Sequence, residues 1–225
     1  MRPLILLLLC LVATTASALP ILFDRVQYST TAFAELGDAF DAAADGASPP
    51  DALPVQSNAA LDDLDQYAYA DGIADERFLA TVVDVLGAGS AAGAVATADF
   101  LGHFTGRGRH RLSLDFESFG DLAGGTADAQ LALTLTVGLD TLIDQIFDRT
   151  MVFDYEFDLA SALDGVLSLS LVSTADADDG AAFALSSVAF DLNAIPEPSS
   201  LALTVLALGA VLAAGRATGR QHATP

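Results

Sequence analysis

Through most of the second half of this chain, apolar and polar residues alternate one for one, and few folds accept that pattern. Leu131, Leu133, Leu135 and Val137 alternate with Ala132, Thr134 and Thr136. Met151, Phe153, Tyr155, Phe157 and Leu159 alternate with acidic Asp154, Glu156 and Asp158, while Leu167, Leu169 and Leu171 alternate with Ser168 and Ser170. Leu112-Ser113-Leu114-Asp115-Phe116 keeps the same period, and a last strand is expected over 183–193. Successive strand side chains point to opposite faces, so each run predicts a strand with one face in a core and one in water.

The separators are turn formers: Gly87-Ala88-Gly89, Gly106-Arg107-Gly108, Gly124-Gly125, Asp164-Gly165 and Asp176-Ala177-Asp178-Asp179-Gly180. From Tyr67 onward this predicts about seven or eight short strands, hence an all-β fold with a single antiparallel β-sandwich of jelly-roll type over 19–194. Helix competes over 139–147, where Leu142, Ile143 and Ile146 fall on one face. The first part of the domain reads two ways. Phe33, Leu36 and Phe40 have near-helical spacing over 31–44, and an edge strand over 22–28 is the other reading. Ser48-Pro49-Pro50-Asp51 marks a loop.

Charge removes whole classes of function. Between Leu19 and Ile195 there are 29 acidic residues against six arginines, a net charge of −23, and the chain has no lysine. Such a surface repels phosphate, so no nucleic-acid partner is expected. The region between the terminal segments, about 175 residues, is long enough for one domain with a true core. Trp is absent, so Leu, Val, Ala and 13 Phe must build it.

Residues 1–18 have the composition of a signal peptide. Met1-Arg2 gives a positive start, 4–12 an apolar stretch and Ala16-Ser17-Ala18 a small-residue cleavage site. The apolar stretch is shorter than the ~20 residues of a typical span. Cys10 is the only cysteine, so removal of the leader leaves no thiol and no disulfide.

At the other end, Ser199 to Gly215 form a run without a charge. As a helix it spans about 26 Å at 1.5 Å per residue, the short end of what crosses a hydrocarbon core of ~30 Å. It is apolar all round, which favours lipid over a half-buried surface. Arg216 and Arg220 act as the membrane stop on the cytoplasmic side, so the domain faces outward. Residues 221–225 trail behind as a tail. Just before the helix, Pro196 and Pro198 hold the chain extended and deny it ladder hydrogen bonds. Glu197 is the one charge of this strip.

Pro196-Glu197-Pro198-Ser199-Ser200-Leu201, followed by an apolar helix and a terminal arginine pair, resembles the PEP-CTERM sorting segment of Gram-negative bacteria. The resemblance is confined to 195–220. It implies that the chain is an exosortase substrate, with Pro196, Glu197 and Pro198 as the sorting motif of a polytopic membrane protease. It also implies export through the inner membrane, anchoring through the C-terminal transmembrane helix, and delivery to the cell surface or the extracellular matrix of a biofilm.

The domain itself offers few chemical groups. His103 and His110 flank Gly106-Arg107-Gly108-Arg109, with Arg111 next, the one basic cluster in an acidic domain. It reads either as an arginine clamp for an anionic sugar or phosphate, or as a hairpin whose arginines pair with neighbouring acidic strands; the second is favoured. Asp176 to Gly180 resembles a calcium loop only loosely, since its glycine comes one position early and no Glu closes it, and Asp62-Asp63-Leu64-Asp65 is read the same way, as a solvated turn. No nucleophile elbow, zinc motif, Cys-x-x-Cys or phosphate loop is present. No catalytic residue, metal ligand or cofactor is therefore assigned. The expected role is structural or adhesive, not enzymatic; a carbohydrate-binding module for exopolysaccharide, assisted by calcium, is the alternative.

Overall fold

The computed structural model describes residues 19–48, 51 and 53–195. The expected leader over 1–18, the expected sorting motif Pro196, Glu197 and Pro198, the expected apolar span over 199–215 and Arg216 and Arg220 lie outside the described residues. Within them the chain is all β: β1 (Leu19–Pro20), β2 (Arg25–Leu36), β3 (Ala39–Ala47), β4 (Val55–Asp63), β5 (Gln66–Asp75), β6 (Phe78–Ala123), β7 (Thr126–Val137), β8 (Asp140–Phe147) and β9 (Met151–Ile195). Hydrogen bonding joins them in one antiparallel sheet of order β3-β2-β6-β9-β7-β8, with β4-β5 attached through β6 and β1 through β9. Among the described residues no helix is long and apolar enough to cross a membrane.

The long strands β6 and β9 change partners as they run, and this folds the sheet over on itself. Residues 78–88 run beside 179–189, and 92–106 beside 163–177. Beyond Gly108, residues 109–123 return to the other side of 181–195, while 108–116 also flank 151–159. One layer thus holds β3, β2, 92–106, 163–177, β7 and β8. The facing layer holds β4, β5, 78–88, 179–195, 108–123 and 151–159. β2 packs over β4 and β5. The result is a β-sandwich whose layers are stitched together by the ribbon of β6 and β9.

Its core has two unequal halves. One is large and aromatic, built on Phe100, Phe104, Phe116, Phe190 and buried leucines of β7 and β9. The other is nearly all alanine, with Ala32, Ala34, Ala59, Ala70, Ala94 and Ala184 among its members. A layer of buried hydroxyls separates them. On each of five strand segments one hydroxyl stands between the halves: Thr30, Ser57, Thr81, Ser173 and Ser186. Ser57 Oγ donates to the Thr30 carbonyl at 3.0 Å, so the Thr30 hydroxyl donates to Ser57 Oγ at 2.8 Å. By the same single-proton logic Thr81 Oγ1 donates to Ser173 Oγ at 2.7 Å, and Ser173 donates to Ser186 at 3.2 Å. Buried hydroxyls without partners would cost about 1–3 kcal/mol each; these have them.

Alanine side chains let the layers approach closely. At Gly72 an added Cβ would lie 2.3 Å from the Thr97 carbonyl oxygen of the opposite layer. No larger residue fits there without backbone movement.

Several sequence expectations change. Residues 31–44 are not helical but form the β2–β3 hairpin around Gly37. Phe33 and Phe40, which suggested helical spacing, stack on the outside of that hairpin. The inward residues are Tyr28, Thr30, Ala32, Ala34 and Leu36, whose small or polar members hide the period of two. Alternation therefore begins well before Tyr67. Of residues 139–147, Asp140–Phe147 are likewise strand, paired to β7 from Val137 back to Leu131. Asp164-Gly165 is no turn: Gly165 lies inside β9, where an added Cβ would sit 2.3 Å from the Phe104 ring.

Candidate functional site

The basic cluster is not a hairpin. β6 breaks register between Gly106 and Gly108, and Gly108 takes a positive φ of 84°, which only glycine adopts freely. The break sends the two histidines to different places. His103 stays on the outer face, opposite Arg25, and lines a shallow cavity with Phe23, Asp24, Gln27 and Ser48. His110 points inward and is 1% exposed. Neither of its ring nitrogens has a hydrogen-bond partner among the described residues. Its ring lies 5.2 Å from that of Phe157, and the missing side chain of Gly106 makes room, since a Cβ there would sit 2.8 Å from His110 Nε2. Burial pushes the His110 pKa down, and the nearby Asp158 carboxylate opposes this only in part. The imidazole is therefore neutral near pH 7.

The arginines are spent on neighbouring acids rather than gathered into a clamp. Arg111 holds Asp154 through Nε at 3.0 Å and Nη2 at 2.8 Å. Ser113 adds a hydrogen bond to the same carboxylate at 2.7 Å. These donors hold the Asp154 carboxyl below the usual carboxylate range. Arg109 pairs with Glu156, and Arg77 with Asp191. All three pairs are solvent-exposed and contribute little to stability. Arg107 forms no ion pair among the described residues. It borders an open groove of about 590 Å³ with Gly108, Arg109, Asp158, Ala194 and Ile195.

The acidic runs do not assemble a cation site, and Asp176–Gly180, expected as a turn, lies inside β9. Gly180 has φ of 113°, and an added Cβ would lie 2.1 Å from the Ala123 carbonyl oxygen, so the glycine serves backbone packing where β9 changes layers. Asp62 and Asp63 end β4, and Leu64 turns the chain at φ 52°. Among the described residues no group of three or more metal-binding side chains comes together.

Two features escaped sequence reasoning. Phe147, Phe153, Tyr155 and Phe157 form a continuous ring ladder at 5.5, 6.4 and 6.1 Å, ending on His110. The aromatic spacing at 153, 155 and 157 was its signal; the contribution of Phe147 needed the fold. The second is the meeting of the domain's ends. Leu19 lies opposite Ala194 and Pro20 opposite Asn193, and Ile21 N–H donates to the Leu192 carbonyl at 2.9 Å. The two ends of the described domain therefore share one corner of the sandwich.

No protein-family model matches the chain, and no curated protein matches it. Among solved structures, it is similar to the VP2 subviral particle of infectious bursal disease virus, at 10% identity over 83% of this chain and 68% of that one, with a TM-score of 0.24. It is also similar to the carbohydrate-binding module CBM36 in complex with calcium and xylotriose, at 17% identity over 48% and 78% with a TM-score of 0.19. A third is the GH31 α-xylosidase of Xanthomonas citri, at 8% identity over 71% and 32% with a TM-score of 0.20. Likenesses this distant carry nothing about function.

Proposed function

We propose that this chain is an exported, C-terminally anchored surface protein that an exosortase-type membrane protease processes beyond Ile195. Its jelly-roll-like β-sandwich then serves a structural or adhesive role at the cell surface or in the extracellular matrix, without catalysis. The observation that carries the reading is the junction at Ile195. Among the described residues the last strand runs to Ile195, and the sequence continues with Pro196, Glu197 and Pro198. Proline has no N–H to donate, so it halts a ladder. The folded domain would then end where a protease needs extended, unpaired chain.

The corner formed by Leu19 and Ala194 supports the same reading. A precursor carrying both apolar segments could hold them in one membrane beside each other, with the domain hanging from a single point. The 17 residues from Ser199 to Gly215 would lie in lipid, with Arg216 and Arg220 held at the cytoplasmic face. Deleting 199–225 should convert the protein into a soluble exported form; retention in the membrane would refute the anchor.

Exopolysaccharide binding is the second reading, and one observation favours it. Phe33 and Phe40 stack at 6.4 Å with planes 18° apart, and Phe40 is 72% exposed. A flat aromatic platform of this kind suits a sugar face. Binding to a glycan panel, with and without calcium, tests it; Phe40→Ala should abolish any binding that this platform supplies.

A further inference from the structure

We infer that the open edge of β6 over 117–123 docks an extended, basic segment of another protein, which adds to the facing layer as one more antiparallel strand. Where the neighbours stop defines the edge. Residues 109–123 pair along their whole length with 181–195, whereas 151–159, on their other side, reach only 108–116. Past Phe116 that side is engaged once among the described residues. The Thr150 hydroxyl accepts from the Ser118 N–H at 2.9 Å and donates to the Ser118 carbonyl at 3.0 Å. In a ladder, alternate residues turn their N–H and C=O groups to the same side. Gly120 and Leu122 therefore present theirs to the open side as well.

The opposite layer is open at the same end. β7 meets β8 only from Leu131 on, so 126–130 pair with 172–176 alone among the described residues. Gly124 and Gly125 join the two open stretches. Leu122 registers the gap: it falls in step with buried Leu112, Leu114 and Phe116 and so points between the layers, yet it is 56% exposed. On the outer face Phe119 is 62% exposed and meets Phe183 edge-on at 6.1 Å. Proline or lysine commonly blunts an exposed edge; residues 117–123 contain neither.

Charge selects the occupant. From Glu117 to Gln130 there are three acids and no base, and neither Glu117 nor Asp121 has an ion pair among the described residues. Of the flanking bases, Arg111 is held by Asp154, and Arg149 adjoins Thr150 at the covered end of the edge. A second copy of the domain would bring its own net charge of −23. Seven edge residues are also well short of the ~20–30 a side that a stable interface between folded domains uses. An extended segment needs no more than the edge, since main-chain hydrogen bonds hold it. Alternation then writes its pattern. Side chains beside Glu117, Phe119 and Asp121 should be lysine or arginine, whose stems cover the Phe119 ring. Those beside Ser118, Gly120 and Leu122 should be apolar and close over Leu122. None of this depends on the sorting function proposed above.

The test uses the full-length protein in detergent and a fluorescent peptide of alternating lysine and valine, blocked at both ends, with binding read by anisotropy. Seated antiparallel with its valines inward, the peptide turns the valine N–H groups to the edge and the lysine N–H groups away from it. N-methylating the valines should weaken binding roughly ten-fold or more, since several hydrogen bonds are lost, while N-methylating the lysines should leave it unchanged. Both methylated peptides keep the charge, so equal affinities would reduce the attraction to diffuse charge and overturn the site, as would no binding of the parent peptide. Glutamate in place of lysine should abolish binding; retained affinity overturns the basic occupant. Gly120→Pro removes an N–H from the open side only and should weaken the parent peptide as valine methylation does; unchanged binding overturns the assignment to this edge. Self-association in sedimentation that Gly120→Pro abolishes would make a second copy the occupant and overturn the choice made here.

Discussion

Leu19 and Ala194 face each other across an antiparallel ladder, so the first strand and the end of β9 close the same corner. Ile21 continues the join into the aromatic half of the core, where it is 8% exposed. Under the proposed function, cleavage at one end and tethering at the other would both act at this corner and pull on no distant part of the sandwich. Ile21→Ala removes most of a buried aliphatic side chain and should cost about 2–4 kcal/mol. Chemical denaturation reads the loss. Loss of hydrogen-exchange protection at Leu192–Ala194 before the global transition would show that the corner opens first.

His110 makes stability depend on pH. Its folded pKa lies below the unfolded value, because burial disfavours the charged ring. The unfolded chain therefore binds the proton first as pH falls. Stability is fully present above the unfolded value of about 6.5 and declines below it, down through the folded pKa. Denaturation midpoints should drop between pH 7.5 and pH 5, and His110→Leu should flatten that slope. Asp154 acts in a separate, more acidic window, since its lowered pKa keeps its contribution until the carboxylate itself titrates. A slope between pH 7.5 and 5 that is unchanged in His110→Leu contradicts the assignment.

The buried hydroxyl layer gives an asymmetric prediction. Ser173→Ala leaves the Thr81 donor without an acceptor, an orphan worth about 1–3 kcal/mol. Thr81→Val removes only the donor, and Ser173 keeps its bond to Ser186. Ser173→Ala should therefore be the more destabilising single change, and adding Thr81→Val to it should recover part of the loss. A double-mutant cycle by urea denaturation measures both.

Gly72→Ala should be destabilising by about 1–3 kcal/mol, the range of overpacking in a tight interior. The new Cβ would meet backbone, the Thr97 carbonyl oxygen at 2.3 Å, which cannot rotate away. Gly37→Ala is a useful contrast, since nothing lies within 4 Å of its added Cβ and only the positive φ of 58° opposes it.

How much of this was legible depends on what filled the inward positions. β7 and the stretch 151–171 announce themselves, because leucines and aromatics alternate with polar residues. β2, β3 and β5 do not, because their inward residues are largely alanine, glycine, serine and threonine, which hydropathy does not set apart from outward ones. Phe33 and Phe40 misled for the opposite reason, being large residues on the outside. The basic cluster was read correctly in its chemistry, with Arg109 and Arg111 spent on Glu156 and Asp154. Its geometry was not, because two glycines spaced by one residue fit a hairpin and a register break equally well. The burial of His110 and the pairing of Leu19 with Ala194 depend on long-range register, which no local pattern encodes.

The sorting motif makes a separate prediction. Replacing Glu197, or Pro196 and Pro198 together, should leave an unprocessed precursor in the membrane fraction, seen by immunoblotting of pulse-labelled cells. Unchanged processing would reduce the motif to a spacer between domain and membrane.

Mass spectrometry of both ends of the exported protein tests the central claim most directly. The account predicts an N-terminus at Leu19 and a C-terminus that has lost the apolar segment 199–215. An exported protein that still carries that segment intact would contradict it.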